Sequence, residues 1–152
     1  MLRERLMDDM KTAMKSGEKR RLSTIRLIQA ALKDKDIEAR GASKGPISDD
    51  EILALLQKMV KQRQESLSIY EANARPELAQ GEREEIDVIS GFLPKQLGDA
   101  ETAAAIDAAV ASVGASTVKD MGKVIAQLRG EFAGRMDFTK ASVLVKDRLA
   151  KV

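Results

Sequence analysis

Three features of the sequence predict an all-α fold: a composition led by Ala, Leu, Lys, Glu and Arg, apolar residues that recur three and four positions apart, and no strand-like alternation of useful length. The chain has 152 residues, 43% hydrophobic and 33% charged. That is apolar enough to bury a core and too balanced in sign for a disordered chain. The expected architecture is an N-terminal bundle of about four helices over residues 1–94, followed by a smaller three-helix subdomain over 95–152.

Leu2, Leu6, Met10 and Met14, with Met7 beside them, give the first helix its inward stripe, and Gly17 supplies a natural stop. The methionines of this helix read as pliable core packing. A second stripe of Leu22, Ile25, Ile28 and Leu32 runs from Glu18 to the loop-forming segment 41–46. Ser48 and Glu51 then form a capping-box pattern that opens a long third helix with Ile52, Leu53, Leu56, Met59, Val60, Leu67 and Tyr70 inward. Pro76 suits the first turn of a fourth helix, in which Leu78, Ile86, Ile89 and Leu93 face the core and Gly81 interrupts. The segment from Gly91 to Pro94 marks the boundary. Beyond it three shorter helices are expected: Asp99 to Val113 closed by Gly114, Val118 to about Gly130, and Asp137 to Val152 with Asp137 as N-cap.

Composition limits the chemistry. Without His or Cys the chain cannot build a Ser-His-Asp or Cys-His nucleophile, a thiol redox centre or a zinc site of the usual kind. The acids occur as neighbours (Asp8 and Asp9, Asp49 to Glu51, Glu84 and Glu85), which diverge on a helix and do not form a catalytic pair. No phosphate-binding glycine loop is present. No catalytic residue, metal or cofactor is expected. The start of the chain carries mixed charges and no window is apolar enough to span a membrane, so a cytoplasmic location without membrane association is expected.

Lys19, Arg26 and Lys33 lie seven residues apart on the second helix and share one ridge over roughly 20 Å, with Arg20 and Arg21 thickening its start. Such a row suits a phosphate backbone. It equally suits a solubilising flank, given Asp34, Asp36 and Glu38 nearby. Arg63 projects into the apolar stripe of the third helix, so it needs a partner, and Glu85 is the candidate for a structural ion pair. Gly122, early in a helix, suggests close approach of another backbone. Lys123 and Arg135, the latter after Gly134, would flank a helix N-terminus suited to phosphate, or serve helix packing and a loop. Residues 1–94 hold 17 basic and 17 acidic side chains, and residues 95–152 hold 9 and 7, so the excess of +2 belongs to the second part.

Arg21-Leu22 with Ile25-Arg26, Lys61-Gln62-Arg63 with Glu65-Ser66, the run Leu93-Pro94-Lys95-Gln96-Leu97 and the run Asp120-Met121-Gly122-Lys123-Val124 together resemble the YqeY family, also called GatB/YqeY-domain proteins, over essentially the whole chain. Phe138 after Asp137, and Gly98 before Asp99, depart from the expected pattern. The family resembles the C-terminal tail of the B subunit of the glutamine-dependent aspartyl/glutamyl-tRNA amidotransferase. The resemblance implies recognition of tRNA or other structured RNA and an association with carbon–nitrogen ligase chemistry, in company with a tRNA-modifying or aminoacylation enzyme, and without that enzyme's catalytic parts. It also assigns Gly122, Lys123, Gly134 and Arg135 to an RNA-contacting surface, and it favours RNA for Lys19, Arg26 and Lys33. An independent enzyme is not expected. The competing expectation is a protein-interaction adaptor that docks an acidic partner on the basic ridge without RNA.

Overall fold

The computed structural model of the chain describes residues 1–151, and these contain seven α-helices, one 3₁₀ turn and no strand. The chain divides into two compact units, Met1–Leu93 and Pro94–Val152. Val152, the expected end of the last helix, lies outside the described residues.

The first unit comprises α1 (Leu2–Ser16), α2 (Lys19–Gly41), α3 (Asp49–Ala72) and α4 (Pro76–Ser90). Gly17 takes the left-handed conformation (φ 73°) that ends α1 and turns the chain into α2. Ser48 Oγ accepts from the Glu51 N–H at 3.2 Å, and Glu51 Oε1 accepts from the Ser48 N–H at 3.3 Å, a reciprocal cap that fixes the start of α3. The core joins Leu6 of α1, Ile25, Ile28 and Leu32 of α2, Ile52, Leu55, Leu56 and Met59 of α3, Ile89 of α4, and Ile47 and Phe92 from the connections.

Several inward positions differ from the sequence expectation. On α1 the buried series is completed by Ala13, while Met14 is 54% exposed and Met7 is exposed as well, so Met10 alone of these three packs against the core. A four-residue step gains about 40° each time, which carries the series 2, 6, 10, 14 off the inner face. On α3 Leu55 is buried, whereas Leu53, Leu67 and Tyr70 are only partly so. On α4 Ala79 is buried and Leu78 is 38% exposed. The far half of the α3–α4 hairpin has only these two helices to pack together, so a residue directed elsewhere stays in water. Leu93 lies past the end of α4 and is half-buried; Phe92 takes the core position. The Phe92 ring carries the Arg5 guanidinium at 5.0 Å and that of Arg21 at 5.9 Å, and Arg5 Nη2 also donates to the Gly91 carbonyl at 2.5 Å.

The second unit comprises α5 (Asp99–Val113), a 3₁₀ turn (Val118–Asp120), α6 (Met121–Phe132) and α7 (Phe138–Ala150) around Ile106, Val110, Val124, Leu128, Met136, Ala141, Val145 and Leu149. The expected helix from Val118 therefore begins as a 3₁₀ turn. At the start of α5 the Gly98 N–H donates to Glu101 Oε1 at 3.4 Å, half of a capping box supplied without a cap side chain. Phe138 underlies the Arg129 guanidinium at 4.9 Å. The segment Lys95–Leu97 is strapped to the α6–α7 loop: Leu97 N–H donates to the Arg135 carbonyl at 2.9 Å, and Gln96 Nε2 donates to that of Gly134 at 2.6 Å.

Two glycines behave oppositely. A Cβ added at Gly81, inside α4, would meet nothing closer than the Arg20 guanidinium at 3.6 Å. Gly81→Ala is expected to raise unfolding stability by about 0.5–1 kcal/mol, because glycine pays more entropy in a helix. Gly134 holds φ 77°. Gly134→Ala is expected to lower stability by about 1 kcal/mol or more, measured by the same denaturant titration.

Candidate nucleic-acid interface

Lys19, Arg26 and Lys33 are exposed on α2, and none forms a side-chain hydrogen bond or ion pair among the described residues. Because α2 runs to Gly41, the series gains a fourth member, Arg40, also exposed and without such a partner. At 1.5 Å per residue the four cations span about 32 Å, and a seven-residue step drifts only about 20°. Ser23, Ala30 and Ile37 stand between them on the same stripe; all three are exposed and none is acidic. Arg40 escapes sequence reading because it borders the loop-forming Gly41. Its signal, the continued seven-residue interval, is present in the sequence.

Most of the charges flanking this stripe are paired with other groups. Arg20 Nε pairs with Glu84 at 3.0 Å and Arg21 Nη2 with Asp9 at 3.2 Å, so neither adds to the row as expected. Asp36 takes a two-pronged bond from Arg3, at 2.7 and 2.8 Å, and accepts the Ile47 N–H at 3.0 Å. These bonds, the one from Arg3 foremost, hold its carboxyl down to about 2. Glu38 meets Lys35 at 3.5 Å. Of the acids that cast doubt on the row, Asp36 and Glu38 are thus paired with other groups, although Asp36 also feels the charge of Arg40, while Asp34 beside Lys33 is exposed.

Arg63 Nε donates to Glu85 Oε2 at 2.8 Å, with side chains 16% and 19% exposed, and Arg63 Nη1 donates to the Met59 carbonyl at 3.2 Å. Glu85 also lies 3.8 Å from Arg20. This ties α2, α3 and α4 together. One turn away, Glu82 Oε2 is buried without a hydrogen-bond partner, and burial, followed by the charge of Glu85, pushes its carboxyl above the usual range.

In the second unit Gly122 and Lys123 lie exposed in the first turn of α6. A Cβ at Gly122 would meet nothing within 4 Å, so helix packing within the chain does not require the glycine. Lys123 and Arg135 do not flank one helix N-terminus: Lys123 precedes the body of α6, Arg135 follows it, and at least 13 Å of helix separates their levels by the rise per residue. Each nearby N-terminus holds its own carboxylate. Asp120 Oδ2 accepts from Ser116 and Thr117 N–H at 2.9 and 3.2 Å, bonds that lower its pKa, and Asp137 Oδ1 accepts from Thr139 and Lys140 N–H. Arg135 Nε donates to the Lys95 carbonyl at 3.1 Å, and its guanidinium lies 5.9 Å from the Phe132 ring. Residues 95–97 and the Gly134–Arg135 pair, apart in sequence, are thus brought together.

Among the described residues no cluster of three or more His, Cys, Asp or Glu is placed to hold a metal ion. No helix is long and apolar enough to cross a membrane. The fold and this surface define an all-helical protein whose first unit presents a row of exposed cations that form no side-chain hydrogen bond or ion pair among the described residues. The chain belongs to the family of Yqey-like proteins, whose model matches residues 3–149.

Similarity to curated proteins covers a shorter stretch. The protein named "Altered inheritance of mitochondria protein 41, mitochondrial" from Pyrenophora tritici-repentis is 34% identical over 88 residues, 58% of this chain and 46% of that protein. Those of the same name from Lachancea thermotolerans and Saccharomyces cerevisiae are 31% and 30% identical over the same shares. The matched stretch spans a little under half the length of these relatives. Their names place them in mitochondria, which conflicts with the purely cytoplasmic location expected from the sequence, and that expectation is withdrawn.

The sign of the Glu82 effect is fixed by its raised folded-state pKa. Both states are protonated at low pH; as pH rises the unfolded carboxyl ionises first, and the native state loses stability. Glu82→Gln is therefore expected to raise the melting temperature at about pH 7 and to give no gain at about pH 4, measured by calorimetry at the two values.

Proposed function

We propose that the protein is a tRNA-binding accessory protein that grips the RNA backbone and contains no amide-transfer machinery of its own. The observation that carries this reading is the row Lys19, Arg26, Lys33 and Arg40: four exposed cations on one helical stripe, none in a side-chain hydrogen bond or ion pair among the described residues. Duplex RNA is recognised mostly through phosphates, 2′-hydroxyls and shape. A rigid helix with evenly spaced cations meets that requirement, and one Tyr and three Phe leave little capacity for base stacking. The relation of the YqeY domain to the tail of the amidotransferase B subunit supports tRNA as the RNA and an amidotransferase or other tRNA enzyme as the neighbour.

The second unit has a lesser part in this reading. Exposed Lys123 beside Gly122 offers a phosphate contact, with Gly122 leaving room for a backbone to approach. Gly134 and Arg135 act chiefly by holding the loop: Arg135 is tied to Lys95 and Gly134 to Gln96.

The triple variant Lys19→Ala/Arg26→Ala/Lys33→Ala is expected to weaken tRNA binding about uniformly across tRNA sequences and to reduce the slope of log affinity against log salt by about 2–3, one per lost phosphate contact. Filter binding across a salt series measures both. Absence of tRNA binding by the folded protein at low salt would remove the reading, and would leave an acidic protein as the partner for the same row.

A further inference from the structure

The row on α2 ends in a concavity of about 210 Å³ lined by Arg3, Asp36, Arg40, Lys44, Gly45 and Pro46. The chain reverses sharply there. Ser43 N–H donates to the Arg40 carbonyl at 3.0 Å and Lys44 N–H to that of Ala39 at 2.8 Å, with Ser43 at φ 60°, so Lys44 is folded back beside the last turn of α2. The pocket holds three cations and one carboxylate. Both oxygens of Asp36 are already taken, by the Arg3 guanidinium and the Ile47 N–H. Arg3 is spent in the same pair and also donates to the Ile47 carbonyl at 3.0 Å. Two positive charges remain in excess, Arg40 and Lys44, neither engaged in a side-chain hydrogen bond or ion pair among the described residues, although Arg40 lies near enough to Asp36 to feel its charge.

We propose that Arg40 and Lys44, set over Gly45 against the Arg3–Asp36 pair, form a binding pocket for a single phosphate group. Two surplus cations match the charge of a dianion better than that of a monoanionic carboxylate, and guanidinium and ammonium donors are the usual partners of phosphate oxygens. The volume lies below the roughly 300–1,000 Å³ of pockets that enclose drug-sized ligands, so the site takes the phosphate and leaves the rest of its carrier outside. Because Arg40 is also the last cation of the α2 row, the natural carrier is a terminal phosphate monoester of the RNA strand lying on that row, since an internal phosphodiester carries only one charge. That assignment of the carrier rests on the tRNA reading; the pocket itself does not.

The test is a titration of the full chain with inorganic phosphate, followed through the NMR signals of the Lys44, Gly45 and Ile47 amides, with sodium acetate at equal ionic strength as control. Saturable shifts with phosphate alone, weakened about tenfold or more in Arg40→Gln/Lys44→Gln, are expected. Equal responses to phosphate and acetate, or a response unchanged in the variant, would overturn the pocket. The variant's helix content by circular dichroism confirms that it is folded. A parallel tRNA titration separates the two readings: phosphate binding without tRNA binding keeps the pocket and ends the RNA assignment, whereas tRNA binding without a phosphate response does the reverse.

Discussion

Three carboxylates on α4, those of Glu82, Glu84 and Glu85, face two guanidinium groups, Arg20 from α2 and Arg63 from α3. Much else in the first unit depends on this imbalance. An arginine directed into a bundle must be paired, and Glu85 meets that demand while reaching toward Arg20. Burial of the apolar stripe sets the rotation of α2 about its axis, and the reach of Arg20 toward α4 agrees with it. The side of α2 carrying Ile25, Ile28 and Leu32 then faces the core, and the side carrying Lys19, Arg26, Lys33 and Arg40 faces water. Glu82 is the acid left over. Its buried oxygen without a partner is a cost the local packing carries so that the other two acids can hold both arginines.

Net charge is a poor guide to such a surface. The first unit is neutral by count, with 17 basic and 17 acidic side chains in residues 1–94, and the count alone gives no reason to expect a basic face. The structure separates the signs. Asp9, Asp36, Glu71, Glu84 and Glu85 each meet an arginine outside the α2 row, whose cations form no ion pair among the described residues. The small excess of charge in the second part has less consequence than this segregation, because Arg135 there is bound to a backbone carbonyl and Asp120 stands close to Lys123. Arginine is used mainly as a geometric fork inside the first unit, and the long exposed stems of lysine and arginine are left free on its outer helix.

The helices themselves were largely legible. Caps and breakers announce them: Gly17, the Ser48–Glu51 box, Pro76, Gly114 and Asp137 all stand at observed ends. The Arg63–Glu85 contact was also readable, since an arginine within an apolar stripe has few ways to be accommodated. What periodicity could not supply was which neighbour lies beside each turn. Leu78 is in step with Ile89 and yet exposed, because burial depends on a third helix that the far hairpin lacks. Met14 follows a four-residue rhythm that a helix does not keep. On the candidate surface, the row was visible but not the pairing of its neighbouring acids, which arises from contacts such as Arg3 with Asp36, 33 residues apart. Likewise Lys123 and Arg135 seemed to share a helix end because sequence separation conceals the length of α6 between them.

Tyr70 gives this hairpin an experimental signature. It is the sole tyrosine in a chain without tryptophan, and it sits half-buried near the tip, on the stretch of α3 where the contacts to α4 include the Glu71–Arg83 ion pair. Intrinsic fluorescence therefore watches one end of one helical pair. Fraying there would change the emission before the core around Ile25, Leu56 and Ile89 opens, so an optical melting curve and a far-ultraviolet ellipticity curve need not coincide. Added salt, which screens exposed ion pairs and barely touches apolar burial, would widen the gap between the two curves. The single chromophore is a local gauge of hairpin integrity rather than a measure of the whole fold.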